Sequence, residues 1–273
     1  MATGDEQLMQ RIIDFELAMY RETSEVVREC EGGYAMLCPS LPLIYDANDV
    51  ILMEEGISAE EADRIADEEI GGMGMVHRSL GHRVVAEGAR LEPGLKRLGW
   101  EAEWAVYMVL RGVPDRQSDI EVTEHPLEEI ADLRRALIRE DLPLGQPKLA
   151  ETTEQLLEMH RWMGEAGGDR WFVARDDHGN PASACRLYES EDKSLGQVED
   201  VATLREARQR GLARAVVSAA IAASREAGHE HTFIAAVADD WPQLLYARVG
   251  FEPVGRLAWF RKKPPGSAGT PSG

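Results

Sequence analysis

The chain has 273 residues, with 30 Lys/Arg against 49 Asp/Glu and a net charge of −19. That length exceeds the usual single-core size and predicts two domains of about 100–150 residues each. A field this negative argues against nucleic acid or an anionic membrane as partner, and nothing approaches the roughly eighteen uninterrupted apolar residues of a membrane span.

The first residues, MATGDEQLMQR, lack the basic-then-apolar layout of a secretion signal, so a cytoplasmic location is expected. Cys30, Cys38 and Cys185 form no CxxC pair and are read as reduced structural thiols, not as a disulfide framework or zinc site. Charge is unevenly spread. Residues 1–125 carry 26 Asp/Glu against 11 Lys/Arg, net −15, and residues 126–273 carry 23 against 19, net −4. Arg205, Arg208, Arg210 and Arg214 are a local basic exception in the second half, and such a cluster invites an anionic ligand.

In chain order, Leu8, Ile12, Phe15 and Met19 recur at helical spacing, and EGG (31–33) is expected to end that helix. Two extended apolar stretches follow in GGYAMLCPSLPLIYDANDVILMEEG. A helix fits SAEEADRIADEEI, with Ser58 as N-cap and Glu61 in the capping-box position. HRVVAEG reads as a strand, PGLKRLGW as a short helix, AVYMVLRG as a closing strand and GVPDRQSD (112–119) as a linker. The second half gives strand IEVTEH, helices PLEEIADLRRALIRE and TTEQLLEMHRWMGEA, and a hairpin in WFVARDDHGNPASACRLYE. Strand LGQVEDVAT, helix GLARAVVSAAIAASREAG, strand HTFIAAVA, helix WPQLLYARVG and strand LAWFRK complete it. Asp239 and Asp240 are expected to cap the helix that has Pro242 in its first turn, and the tail at 264–273 is too rich in Pro, Gly and Ser to fold. KRLGWEAEWAVYMVLR (96–111) aligns with ARVGFEPVGRLAWFRK (247–262), which points to two copies of one fold.

The segment RQRGLAR (208–214) joins a strand to an Ala-rich helix. Such a helix start leaves backbone N–H groups without partners and adds the positive end of the helix dipole, which suits phosphate. Gly211 permits positive φ and a close ligand approach, Ala213 keeps the surface small, and arginines supply charge-assisted hydrogen bonds.

The spelling Arg208, Gly211, Ala213, in the order strand, loop, helix, strand, then LYARVGFEPVG, resembles the GNAT acyltransferase superfamily over residues 118–263. The resemblance implies a mixed α/β fold (α+β mixed) of two GNAT-like domains, each a twisted mixed, largely antiparallel sheet flanked by helices. They are expected at 1–112, a degenerate copy without a cofactor loop, and 118–263, which binds acyl-CoA. It also implies acetyl-CoA or another acyl-CoA as cofactor. The diphosphate would lie on the amides of Gln209, Arg210, Gly211, Leu212 and Ala213, with Arg208 among the arginines that bond its oxygens, and the pantetheine arm along Val201, Ala202 and Thr203, where this strand splays from the one at 231–238. In the first half MEEGISAEEAD stands where the loop belongs. Glu54, Glu55, Glu60 and Glu61 would repel diphosphate there, and RSLGHR (78–83) imitates the motif but precedes a strand-like run.

Tyr246 occupies the position where many members place a tyrosine facing the departing sulfur, and is the candidate general acid; its other reading is a tyrosine packed beside Phe251. Strict alternation puts Gln197, Glu199, Val201 and Thr203 on one strand face and Val198, Asp200 and Ala202 on the other. Glu199 is the candidate base, with attraction of an ammonium, a structural hydrogen bond or a relaying water as alternatives, and an amide near Val201 could polarise the acyl carbonyl. His229 and His231 share a strand face but lack a third metal ligand. The expected activity is acetyl transfer to a primary amine of a small molecule by direct attack in a ternary complex. A non-catalytic acyl-CoA-binding or assembly module is the rival, and the sequence leaves homodimerisation open.

Overall fold

The structure, a computed structural model, describes residues 4–142, 149–238 and 240–263; the predicted disordered tail and the predicted cap Asp239 lie outside the described residues. The chain divides into two compact units. One holds the described residues of Met1–Val106, Val237–Asp239 and Gly255–Ser272, the other Tyr107–Ala236 and those of Asp240–Val254.

The first unit runs α1 (Gly4–Thr23), β1 (Val26–Cys30), β2 (Gly33–Leu37), β3 (Asp49–Leu52), α2 (Ala59–Glu69), β4 (Arg78–His82), α3 (Val85–Arg97) and the start of β5 (Glu101–Leu110). The strand that completes it is the end of β11 (Phe251–Lys262), which pairs antiparallel with β4. Strand order is β1-β2-β3-β4-β11-β5, with β3 and β4 parallel and β1, β2 and β3 joined antiparallel. One core packs Leu37, Val50, Leu52, Leu80 and Phe260 of the sheet against Ile65 of α2 and Leu91 of α3. Leu8, Ile12, Phe15 and Met19 of α1 are all buried, as their spacing predicts.

Two local expectations fail here for identifiable reasons. The first helix ends at Thr23 instead of reaching EGG, because Val26 and Val27 favour extended backbone and Gly32, at φ +73°, turns β1 onto β2. HRVVAEG is not a strand: the strand is RSLGH, and Val85 opens helix α3. Paired valines suggested a strand, but pairing with β3 and β11 selects the residues before them.

Asp49 is buried in this unit, with Ser79 and Arg261 on the neighbouring strands. Burial, then Asp46, pushes its carboxyl up to about 7. A carboxyl whose pKa is higher folded than unfolded contributes stability that is complete below about pH 4 and lost as pH rises through 7. Between pH 5 and 8, Asp49→Asn is therefore expected to lose on the order of 1–3 kcal/mol less stability than wild type, read from urea midpoints. His77, stacked on Tyr45 and pushed down to about 4 by burial, acts in the opposite sense only below its unfolded value of 6.5.

The second unit runs from the end of β5 through β6 (Val122–His125), α4 (Leu127–Asp141), α5 (Leu149–Gly167), β7 (Arg170–Arg175), β8 (Pro181–Glu189), β9 (Leu195–Thr203), α6 (Leu212–Glu226), β10 (His231–Val237) and α7 (Pro242–Val249). Strand order is β5-β10-β9-β8-β7-β6, antiparallel from β6 to β9 and parallel between β9 and β10. Leu127, Ile130, Leu133 and Leu137 of α4 and Leu157 of α5 bury Trp171, Val173 and Ala184 of the sheet, while α6 packs on β7, β8 and β9. Each unit is thus a mixed sheet flanked by helices. The predicted linker 112–119 is not free chain. Gly112 N donates to Gly250 O at 2.9 Å, Asp115 N to Arg248 O at 2.9 Å, and Arg214 grips the Asp115 carboxylate at 2.6 Å.

Candidate functional site

Strands β9 and β10 pair from His231↔Leu195 to Ile234↔Val198, and there the ladder ends, although β9 continues to Thr203. The separation coincides with a β-bulge. Glu199 stands opposite Arg186 and Ala202 opposite Ala184, so Asp200 and Val201 together face the single residue Cys185. Asp200 takes the left-handed conformation at φ +55°. Strict alternation along this strand is therefore overturned: Glu199 and Ala202 share a face, and Thr203, opposite Ser183, lies on the other. Gln197 stays on the Glu199 face, and its amide donates to the Glu199 carboxylate.

Leu204 N donates to Ala182 O at 2.9 Å, on the β8 side. By alternation Ala202 shares that side, and Val201 and Thr203 turn their main-chain groups toward the side where the β10 ladder has ended. Thr203 O accepts from Arg208 Nε at 3.1 Å. An extended arm with amide groups can add to such an edge as a further strand does.

The loop after β9 leads into α6 through two left-handed residues, Gln209 at φ +64° and Gly211 at φ +85°. Gly211 is the N-cap and brings no side-chain cap, and the first helical bond runs from Ala215 N to Gly211 O. The amides of Leu212, Ala213 and Arg214 precede that bond and converge at the helix start. The Leu212 side chain is buried, so only its main chain can face the helix start, while Ala213 is half-buried.

The arginines are placed less simply than the basic cluster suggests. Arg208 and Arg210 are exposed, the first 3.6 Å from Asp141 and the second 2.9 Å from Asp177. Surface pairs of this kind are worth about 0–1 kcal/mol, so a diphosphate can displace those carboxylates. Arg214 is turned inward onto Asp115 and the Arg116 carbonyl and is a structural residue.

The corresponding helix start in the first unit is capped by its own side chains. Ser58 Oγ accepts from Glu61 N at 3.1 Å, the Glu61 carboxylate accepts from Ser58 N at 2.8 Å, and Glu87 accepts from Gly56 N at 2.9 Å. The parallel ladder of β3 and β4 also runs on to Leu52↔His82, with Arg83 N donating to Leu52 O at 3.0 Å. Acidic side chains thus stand at that helix start, and the β3–β4 ladder stays paired to the end of β3.

Tyr246 lies on α7 at 6% exposure, its ring edge-on to Phe251 at 6.3 Å. Burial, with smaller contributions from Cys185, Glu199 and Asp240, raises its pKa above the ordinary tyrosine value, so the hydroxyl remains a donor at neutral pH. His229 bonds Ser224 Oγ at 2.8 Å and reaches Glu189 at 3.3 Å, while Ser224 also meets Thr232 at 2.8 Å. Ser224 is fully buried, so this group ties α6 to β10. Among the described residues no cluster of three His, Cys, Asp or Glu could hold a metal, and no helix is long and apolar enough to cross a membrane. The residues around Asp200, namely Arg134, His160 and Arg186, carried no signal in the sequence, since they come from three separate elements.

The model of the acetyltransferase (GNAT) family matches residues 132–251. No curated protein matches the sequence. Among solved structures, a functionally unknown conserved protein from Staphylococcus epidermidis aligns with a TM-score of 0.65 at 14% identity, covering 87% of this chain and 93% of its own. A GCN5-related N-acetyltransferase from Kribbella flavida aligns at 0.61 and 16%, covering 95% and 96%. A tandem GNAT protein from the clavulanic acid biosynthesis pathway aligns at 0.50 and 15%, covering 77% and 69%. At these identities the structures speak to the fold alone, and the stretch of this chain that is similar to the acetyltransferase (GNAT) family, residues 132–251, is the one that holds the parted strands and the open helix start.

Proposed function

We propose that the second unit is an acyl-CoA-dependent N-acyltransferase, with acetyl-CoA as donor and a primary amine of a small molecule as acceptor. The observation that carries this reading is the pairing of an uncapped α6 start at Gly211 with an unpaired β9 edge at Val201–Thr203, which suits a diphosphate joined to an amide-bearing arm. When bound, acetyl-CoA supplies a thioester-activated acetyl group for direct transfer to the amine in a ternary complex.

The chain's own residues would act as follows. The amides of Gln209, Arg210, Gly211, Leu212 and Ala213 hold the diphosphate, with Arg208 and Arg210 released from their surface carboxylates to add charge. Val201, Ala202 and Thr203 align the arm, and the Val201 amide donates to the acyl oxygen. Tyr246 donates a hydrogen bond to the departing sulfur; its raised pKa makes it a stabiliser of thiolate more than a full proton donor. Glu199 attracts the ammonium and accepts its proton directly or through water. Gln197 is within hydrogen-bond reach of Glu199 and orients it. The acidic composition favours a compact cation over nucleic acid or membrane.

The first unit, with its self-capped helix and fully paired ladder, is read as a degenerate copy that binds no cofactor. Titration calorimetry is accordingly expected to give one acetyl-CoA per chain; two would contradict the degenerate reading, and none would defeat the proposal. Thiol release measured against a panel of amines tests the chemistry. Binding without turnover on any amine would instead favour a non-catalytic acyl-CoA module.

A further inference from the structure

Asp200 has no role in the mechanism above, yet it is one of the two bulge residues at the place where β9 parts from β10. Few non-glycine residues adopt positive φ, and such conformations persist where their surroundings over-determine them. Three basic side chains from three elements surround this one. Arg134 of α4 donates to Asp200 Oδ1 at 3.0 Å, His160 Nε2 of α5 lies 3.4 Å from the same oxygen, and Arg186 Nη1 of β8 is 3.7 Å from Oδ2. All three are buried. Both guanidinium groups lie against Trp171, each 4.6 Å from its ring centroid, and Arg186 also donates to the His160 carbonyl at 3.1 Å. Arg134 Nε and Arg186 Nε and Nη1 have no hydrogen-bond partner among the described residues, so Asp200 is the anion those guanidiniums rely on. Burial alone would raise the Asp200 pKa, but His160, Arg134 and Arg186 outweigh it and hold the carboxyl well below the usual range. The Asp200 carboxylate is therefore ionised at any working pH, whereas burial pushes His160 below its ordinary value, so that it faces the carboxylate as a neutral imidazole.

The geometry points to Asp200 as a positioning residue: its carboxylate, clasped by Arg134, His160 and Arg186, holds the bulge that parts β9 from β10 and so sets the Val201–Thr203 edge for the acyl-CoA arm. This rests on the acyltransferase reading of the second unit. The bulge supplies the extra residue that re-aims the strand, and the clasp keeps that residue from slipping back into a regular ladder with β10.

Two variants test it. Asp200→Asn keeps a residue that tolerates positive φ and removes the charge. Arg134→Met/Asp200→Asn removes one charge of each sign, so the buried net charge is that of wild type and folding is protected if the single variant fails. In both, acetyl-CoA affinity is expected to fall at least tenfold, with KM for acetyl-CoA rising more than kcat falls. Amide exchange of residues 199–203 should quicken while the double variant melts within a few degrees of wild type. A folded variant that keeps wild-type acetyl-CoA affinity, or wild-type exchange at 199–203, overturns the inference. Wild-type protein that fails to bind acetyl-CoA overturns the acyltransferase reading, and the exchange measurement still decides whether Asp200 holds the bulge.

Discussion

Gly211→Glu is expected to weaken acetyl-CoA binding at least about 100-fold, ~2.7 kcal/mol, in a protein that still folds. A Cβ at this position meets only Ile120 Cδ1 at 3.6 Å, an ordinary contact, so the substitution is not blocked by packing. The left-handed conformation at φ +85° costs a side-chain-bearing residue about 1–2 kcal/mol. Part of this is offset, because a carboxylate at a helix N-terminus gains about 0.3–1 kcal/mol from the dipole. The same carboxylate occupies the amides and repels diphosphate, reproducing on α6 what Ser58 and Glu61 do on α2. Calorimetry with acetyl-CoA beside a thermal melt separates the two effects. Undiminished affinity in a folded Gly211→Glu protein would remove the basis for the site.

Tyr246→Phe is expected to lower kcat roughly 100-fold while leaving the acetyl-CoA dissociation constant unchanged. The ring is buried and edge-on to Phe251, and phenylalanine preserves both relations, so the change isolates the hydroxyl. Because burial holds the tyrosine above its ordinary pKa, the pH–rate profile should show no loss attributable to its ionisation below about pH 10. Equal kcat in the two proteins would assign Tyr246 to packing alone.

What could be read from the residues themselves follows a physical line. Ser58 and Glu61 announced their capping box because both partners lie within one helical turn. LGQVEDVAT gave the bounds of β9, and RQRGLAR the start of α6, because strand alternation and a glycine-opened helix are local properties. The bulge escaped detection because alternation presumes one residue against one, and the departure is enforced by Arg134, His160 and Arg186, brought together only by the fold. Val84 and Val85 misled for a related reason: their extended preference yields to the position of β4 between β3 and β11. Arg214 looked like a ligand for anions until Asp115, 99 positions earlier, was found against it.

The final strand carries a consequence for synthesis. Residues 255–262 fill the place between β4 and β5 in the first unit, so that sheet lacks an interior strand until the helices and strands of the second unit, which precede these residues in the chain, have been made. During that interval β4 presents an unsatisfied backbone edge, the kind of surface that recruits strands from neighbouring nascent chains. Truncation before residue 255 would remove no described residue of the unit that carries the α6 loop yet deprive the other unit of its closing strand, so the truncated product should be insoluble although the sequence of the α6 loop is unaltered.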